Sequence, residues 1–514
     1  MDSRITKHPL HILLYFGFFI LIVLPVIFTI GDALFTFDFS GLQKRELPIL
    51  LSKSLVLALA VSLLSTVFGS ILAVLIYKTD LRFRSFFKIA LLIPLLLSPY
   101  IFAVAWKDFF FMIFHQTKLL HSYFGVLWVQ SLIFTPLSMI IVGSALSNID
   151  RSLEEAGWLI TGKVRIFFRI ILALIKPALL TSFVLVFILS ISDFAVPAFF
   201  ELKVLTTEIF TQFAAFYNHS LAILQSLILI IICLILLYSE RKHLSDATFL
   251  SMGSKGLRTK KYHLGQYQKT GFSFVVFWLI ISVALPFLVL FYQSFKTGTA
   301  FFVKAFELLL PTFVPSILLA TVSALIITII GFASATFPKQ LKIGKLDYLL
   351  LFTFAVPSTV FGISLIKFYN SDYLHFIYAS AGILIIGYLG KFSFIASKFI
   401  GNSLKQIPKS LDEAALIAGI SARNRKLKIL FPLLSSGLFA AFLVSFIFVL
   451  GELGTGIMLY PPGSELMPIK VYTIMANAPL ALTASMSLIV FAVSLILIGL
   501  LYFVTQKFIL NDRT

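Results

Sequence analysis

The sequence predicts an all-α integral membrane protein, with about twelve transmembrane helices laid out as two parallel six-helix repeats. Three observations predict it: a composition too apolar for water, apolar runs long enough to cross a bilayer, and residue patterns that recur about 260 positions apart. Of the 514 residues, 59% are hydrophobic and 12% charged. Soluble globular chains average about 45–50% and about 25%. No soluble fold hides that much apolar surface, and the same figures exclude disorder, a disulfide scaffold and a collagen-like fibre. The single cysteine, Cys233, lies in an apolar run, so neither an intrachain disulfide nor a cysteine metal site is expected. A net charge of +19 would suggest nucleic acid in a soluble protein. Here the basic inner loops of a membrane protein explain it, and no nucleic-acid partner is expected.

A helix needs about 20 apolar residues to cross the hydrocarbon core. Twelve stretches qualify: 10–31, 52–77, 86–107, 120–146, 177–200, 219–239, 272–295, 313–337, 346–368, 374–397, 432–458 and 479–504. The first follows Arg4 and Lys7. It is longer than a signal-peptide core and no small-residue cleavage site follows it, so it reads as a span. The runs are apolar on every face rather than alternating, which favours helices over barrel strands. With the N-terminus inside, about 30 of the 41 Lys and Arg fall on inner segments, the sense of the positive-inside rule. Both termini are then cytoplasmic.

The longest polar stretch, 239–270, divides six spans from six. The expected organisation is a first transmembrane module at 1–240, a basic cytoplasmic linker at 241–271 and a second module at 272–514. Residues 262 apart match in the second span of each half: Ser54 with Ser316, Ala58 with Ala320, Gly69 with Gly331. A shift of 258 pairs Pro99 with Pro357, and Ser152-Leu153-Glu154-Glu155-Ala156 with Ser410-Leu411-Asp412-Glu413-Ala414. An even number of spans per half makes the repeat parallel, about an axis along the membrane normal.

Those last two segments lie in the loop between spans four and five of each half. Ser410 with Glu413, and Ser152 with Glu155, fit the Ser-x-x-Glu capping box that starts a helix. Leu411, Ala414, Ala415 and Ala418 fall on one helical face, where small residues permit close approach of a protein partner. A helix lying on lipid headgroups is the plainer alternative. Gly419 can end the helix in a left-handed turn.

Glu413, Ala414, Ala415, Gly419, Ile429 and Pro432 have the spacing Glu-Ala-Ala, three residues, Gly, nine residues, Ile-x-Leu-Pro, with Phe431 in place of Leu. In this the chain resembles the permease subunits of bacterial binding-protein-dependent ABC importers. The first copy departs from the pattern: Glu155 and Ala156 match, Gly157 replaces the second Ala, and Gly162 comes one position late. Two fused six-span modules resemble the iron(III)-type permeases, as do Thr79-Asp80-Leu81 and Glu452-Leu453-Gly454-Thr455 followed by Pro461-Pro462-Gly463. The resemblance implies a type I importer fold and a cytoplasmic-membrane location. It implies coupling helices docked in two ATP-binding cassette ATPase subunits, and a periplasmic or lipoprotein substrate-binding protein. The implied cargo is iron(III), with thiamine, polyamine or phosphonate as alternatives.

Gly157-Trp158-Leu159-Ile160-Thr161-Gly162-Lys163-Val164 nearly spells a phosphate loop, but Val164 has no hydroxyl for magnesium and no strand precedes it. ATP hydrolysis is therefore expected on a separate subunit. No nucleophile–base pair or metal-ligand spacing stands out, so no catalytic residue, metal or cofactor is expected. A secondary transporter of the major-facilitator type would share the twelve spans and parallel halves, but 78–84 lacks the glycines of its basic loop motif.

Charges inside spans are costly and commonly functional. Asp193 and Glu452, 259 apart, lie in the fifth span of each half. At 1.5 Å per residue they stand about 24 and about 27 Å from the inner ends. They read either as an acidic pair on the path of a cation or as caps of helices broken near Pro197 and Gly454. Lys391, whose aligned position is Ile133, is expected to snorkel inward.

Overall fold

Three of the predicted crossings are broken rather than straight, and the breaks decide the architecture. The computed structural model describes residues 9–35, 46–147, 149, 167–244, 262–336, 346–405, 407, 409–421 and 424–511. The first half runs α1 (Leu13–Asp32), α2 (Glu46–Lys78), α3 (Arg84–Leu95), α4 (Pro99–Phe114), α5 (Tyr123–Ser147), α6 (Arg169–Ser192), α7 (Ala195–Phe199), α8 (Leu205–Ala214) and α9 (His219–Leu244). The second half begins α10 (Gly265–Phe295), α11 (Ala300–Thr336), α12 (Leu346–Ala355), α13 (Ser358–Tyr369) and α14 (Gly382–Lys405). It continues α15 (Lys409–Ile417), α16 (Phe431–Gly451), α17 (Gly456–Leu459), α18 (Met467–Met475) and α19 (Leu480–Asn511). Among the described residues, 9 helices are long and apolar enough to cross a membrane, or 12 if each bent pair is one span.

The predicted spans at 86–107 and 346–368 are each two helices, bent by 94° between α3 and α4 and by 107° between α12 and α13. Pro99 and Pro357 cause the breaks. Proline lacks the amide that would continue the ladder and pushes its neighbour out of the helical region, as Ser98 (φ −64°, ψ 132°) records. The fifth spans also stop early. Helix α6 ends at Ser192 and α16 at Gly451, because Asp193 (ψ 125°) and Glu452 (ψ 124°) are extended. Hydropathy continues through these points, so the sequence alone reads them as single crossings.

The repeat is visible in individual bonds. The Leu205 amide donates to Ser54 Oγ at 2.8 Å, and the Met467 amide to Ser316 Oγ at 2.9 Å. Each serine thus caps the corresponding short helix, α8 or α18, from span two of its own half. Gly69 and Gly331 are a second matched pair. A Cβ on Gly69 would lie 2.4 Å from Ser138 Cβ and 2.8 Å from the Thr135 carbonyl; one on Gly331 would lie 2.9 Å from Ala396 Cβ. Glycine lets α2 approach α5, and α11 approach α14, close enough for backbone contact, the usual device where lipid removes the hydrophobic drive between helices. Gly331→Val is expected to cost about 1–3 kcal/mol by overpacking, read as a lowered melting temperature in detergent.

The halves are interlocked. Helix α1 packs on α13 of the other half, and α10 packs reciprocally on α4. At the first contact Tyr369 donates to the Leu21 carbonyl at 2.7 Å, Phe28 meets Phe368 edge-on, and Lys367 pairs with Asp32. A second tie joins the start of the second half to the first. Tyr262 and residues 78–80 exchange backbone hydrogen bonds, and Asp80 accepts from the Leu264 amide and pairs with His263. Burial works against the Asp80 charge, but the Leu264 amide and the His263 ring outweigh it and hold this carboxyl below its usual range. Helices α5 and α14 are buried over most of their length, whereas in α1, α2, α10 and α11 more than half of the residues are only partly buried or exposed.

Candidate functional site

The two proline breaks and the two early helix ends meet at one place between the halves. They enclose a cavity of about 130 Å³, reached by Pro99 and Ser358 from the breaks, by Asp193 and Glu452 from the helix ends, and by Lys391 from α14. Part of the cavity wall is thus backbone that cannot remain helical. Such irregular chain is tolerated at membrane depth only where protein or a wetted cavity surrounds it.

Each acid caps the short helix that follows it. Asp193 accepts from the amides of Ala195 (3.1 Å) and Val196 (3.3 Å), and from Gln130 Nε2 at 2.8 Å. Gln130 is itself held by Ser190 at 2.6 Å. Glu452 accepts from the amides of Thr455 (2.8 Å) and Gly456 (3.0 Å). The capping role foreseen from the sequence is therefore present at both sites, and both carboxylates also line the cavity. A carboxylate at a helix N-terminus meets orphan amides and the positive end of the dipole, which makes its burial tolerable.

Lys391 departs from expectation. It does not snorkel: it is 5% exposed, and its ammonium donates to the Val356 carbonyl at 2.9 Å. That carbonyl precedes Pro357 and is released by the break. The aligned Ile133 faces the same cavity, so the lysine has an apolar counterpart across the pseudo-axis. Hydropathy marked Lys391 only as an isolated charge; its partner comes from a break the hydropathy does not show.

A second cavity, about 90 Å³ and lined by apolar side chains apart from Lys398, adjoins the first toward the α15 end of the helices. Leu95, Leu189, Ile447 and Phe448, two from each half, line both cavities and stand at their junction. A chamber carrying charged groups thus sits beside an apolar one, and the four apolar side chains at their junction can hinder ions by staying dry.

The other predicted feature, the loop helix of the second half, is present as α15. It begins at Lys409, two residues ahead of the Leu411 start that a Ser410 cap implies, so Ser410 lies in its first turn rather than at its cap. It ends as anticipated at Gly419, whose φ is +73°. The Ile420 amide bonds to the Ala415 carbonyl and the Gly419 amide to the Leu416 carbonyl, the paired bonds of a Schellman turn. Glu413 and Ala414 are exposed, whereas Ala415 is turned inward and buried. The expected uniform face of small residues is thus divided. Exposed apolar contact instead comes from Leu411, and from Leu416 (61% exposed) and Ile417 (87%), which the small-residue pattern missed. After α15, a wide π-type turn at Arg425–Leu430 leads directly into α16, with Pro432 in its first turn. The first-half loop residues Ser152, Glu155, Ala156, Gly157 and Gly162 lie outside the described residues.

Residues 327–510 match the family of binding-protein-dependent transport system inner membrane components. The chain is 28% identical over 433 residues to the ferric transport system permease protein FbpB of Actinobacillus pleuropneumoniae, covering 77% of this chain and 62% of that one. It is 27% identical to a putative ferric transport system permease protein of Haemophilus influenzae, covering 77% of this chain and 68% of the relative. A second H. influenzae protein, an Fe(3+)-transport system permease, is 24% identical, covering 86% and 87%. The chain therefore spans somewhat less than two thirds of the first of these relatives.

Proposed function

We propose that this chain, which resembles the iron(III)-type permeases of binding-protein-dependent ABC importers, is the membrane-spanning permease subunit of such an importer, with iron(III) as cargo. Two ATP-binding cassette subunits bind at the cytoplasmic face, one on α15 and one on the loop after Ser152. An extracytoplasmic binding protein delivers the cargo at the opposite face, against 32–51, 201–218 and 459–478. Cargo passes between the halves through the chamber lined by Asp193 and Glu452. Both termini and the 241–271 linker are cytoplasmic, and the segments 1–240 and 272–514 act as the two moving modules.

One observation supports this most. The exposed helix α15 carries the Glu413–Gly419 pattern, and α16, which follows it, ends at Gly451, next to Glu452 in the chamber. Helix α16 bends by 47° between Ser435 and Gly437, and its longer arm, Gly437–Gly451, leads to the chamber. A push on α15 is therefore carried along α16, through its bend, to the site that the cargo crosses. The work is done by the ATPase, which must bind the two conformations of the permease differently for the push to have direction.

The test is uptake by proteoliposomes holding the chain and its ATPase, supplied with binding protein loaded with radiolabelled iron(III). Accumulation is expected only with ATP inside and binding protein outside. Accumulation without the ATPase would contradict the assignment, and uptake of a different ligand by the same vesicles would retain the machinery and replace the cargo.

A further inference from the structure

The chamber holds two carboxylates from matched positions but one lysine, with isoleucine at the lysine's matched position. Lys391 is fixed there. Its ammonium is bonded to the carbonyl that the Pro357 break sets free, and the side chain is almost wholly buried. The Ser192 hydroxyl, also buried and lining the cavity, finds no oxygen or nitrogen partner among the described residues; the Cys233 thiol beside it is a weak partner that an occupant can displace. A pair of carboxylates in a low-dielectric cavity binds a multivalent cation strongly, and a permease site must also release it.

We propose that Lys391 is a fixed counter-cation that weakens the chamber's hold on a cation, making it a site of passage rather than a trap. The proposal rests on the assignment of the chamber to the cargo path. With both acids ionised, Lys391 leaves the chamber one negative charge instead of two. Its tether to the second half makes the two sides electrostatically unequal, although their backbones match. Asp193 is hydrogen-bonded by Gln130 and the Ala195 and Val196 amides, and Glu452 by the Thr455 and Gly456 amides; both line the chamber with the lysine. The ligand class is a hard, oxygen-seeking cation of charge two or three.

Terbium(III) luminescence with the purified full chain in detergent tests this without iron, ATPase or binding protein. Lys391→Met removes the charge. Lys391→Gln removes it but keeps a donor for the Val356 carbonyl, and Lys391→Arg keeps it; melting curves establish that each variant folds. The two neutral variants are expected to bind terbium(III) about tenfold or more tightly than the parent chain, and Lys391→Arg to bind like the parent. Adding Glu452→Gln to a folded neutral variant is expected to abolish the gain. Neutral variants that bind like the parent, or a gain that survives Glu452→Gln, would overturn the proposal. Since no iron is present, iron uptake failing in vesicles while the terbium(III) result holds would remove the cargo assignment and leave Lys391's role standing.

Discussion

Replacing Leu416 and Ile417 together by aspartate is expected to detach the ATPase and reduce ATP-driven uptake about thirtyfold or more, while the chain still folds. Both side chains are largely exposed at the end of α15, 61% and 87%, so the substitution removes no internal packing. Apolar anchors at the centre of an interface typically contribute about 2 kcal/mol or more each, about thirtyfold in affinity. Two buried carboxylates facing an apolar cleft add a desolvation penalty. Ala415 is the contrasting control. It is buried against its own chain, so Ala415→Asp is expected to lower the melting temperature as well as docking. Co-purification of the tagged permease with its ATPase, with melting curves for both variants, separates the two effects. Full ATPase recovery with the Leu416/Ile417 double variant would place the docking surface elsewhere.

Neutralising Asp193 and Glu452 together is expected to lower uptake at least about tenfold with modest loss of stability. The geometry allows capping and charge to be separated. Glu452→Gln keeps one oxygen to accept from the Thr455 and Gly456 amides but removes the charge; Glu452→Ala removes both. If the carboxylate matters only as a cap, Gln is near normal and Ala is the damaging change, costing about 1–3 kcal/mol for buried amides left without acceptors. If the charge draws cargo, Gln alone lowers uptake while the melting temperature changes little. The same comparison at Asp193 has Gln130 as a further partner, so Asp193→Asn keeps a hydrogen-bonding group beside the Gln130 amide. Unchanged uptake by the double Asn/Gln variant would remove both residues from the path.

Much of the architecture can be read from the residues, for reasons that also set its limit. Transfer to lipid depends on length and apolarity, which a sequence displays, so all twelve expected crossings find helices. The matched pairs Ser54/Ser316, Gly69/Gly331 and Pro99/Pro357 marked the repeat in the sequence, but that they serve as caps, close approaches and helix breaks shows only in the structure. The interlocking of α1 with α13 and of α10 with α4 could not be read. Helices apolar on every face carry no stripe that names a partner, and the contacts that fix this pairing, such as Tyr369 with the Leu21 carbonyl, join positions 348 apart. Lys391 was misjudged for a related reason. Snorkelling is the default for a lone lysine in a span, and it loses only where a broken backbone offers a carbonyl nearby. At α15 the pattern located the helix and its end, but which apolar side chains turn outward depended on the body that Ala415 rests against.

The most direct measurement of the central claim, that closure of an external ATPase re-orients a chamber between the two halves, is side-specific labelling of that chamber. With Cys233 replaced by serine and Ser358, on the chamber wall, replaced by cysteine, an impermeant maleimide is applied to either face of reconstituted complexes, with and without trapped nucleotide. Labelling is expected from the α15 face in the nucleotide-free complex and from the opposite face in the nucleotide-trapped one. Labelling from the same face at the same rate in both states would contradict the account.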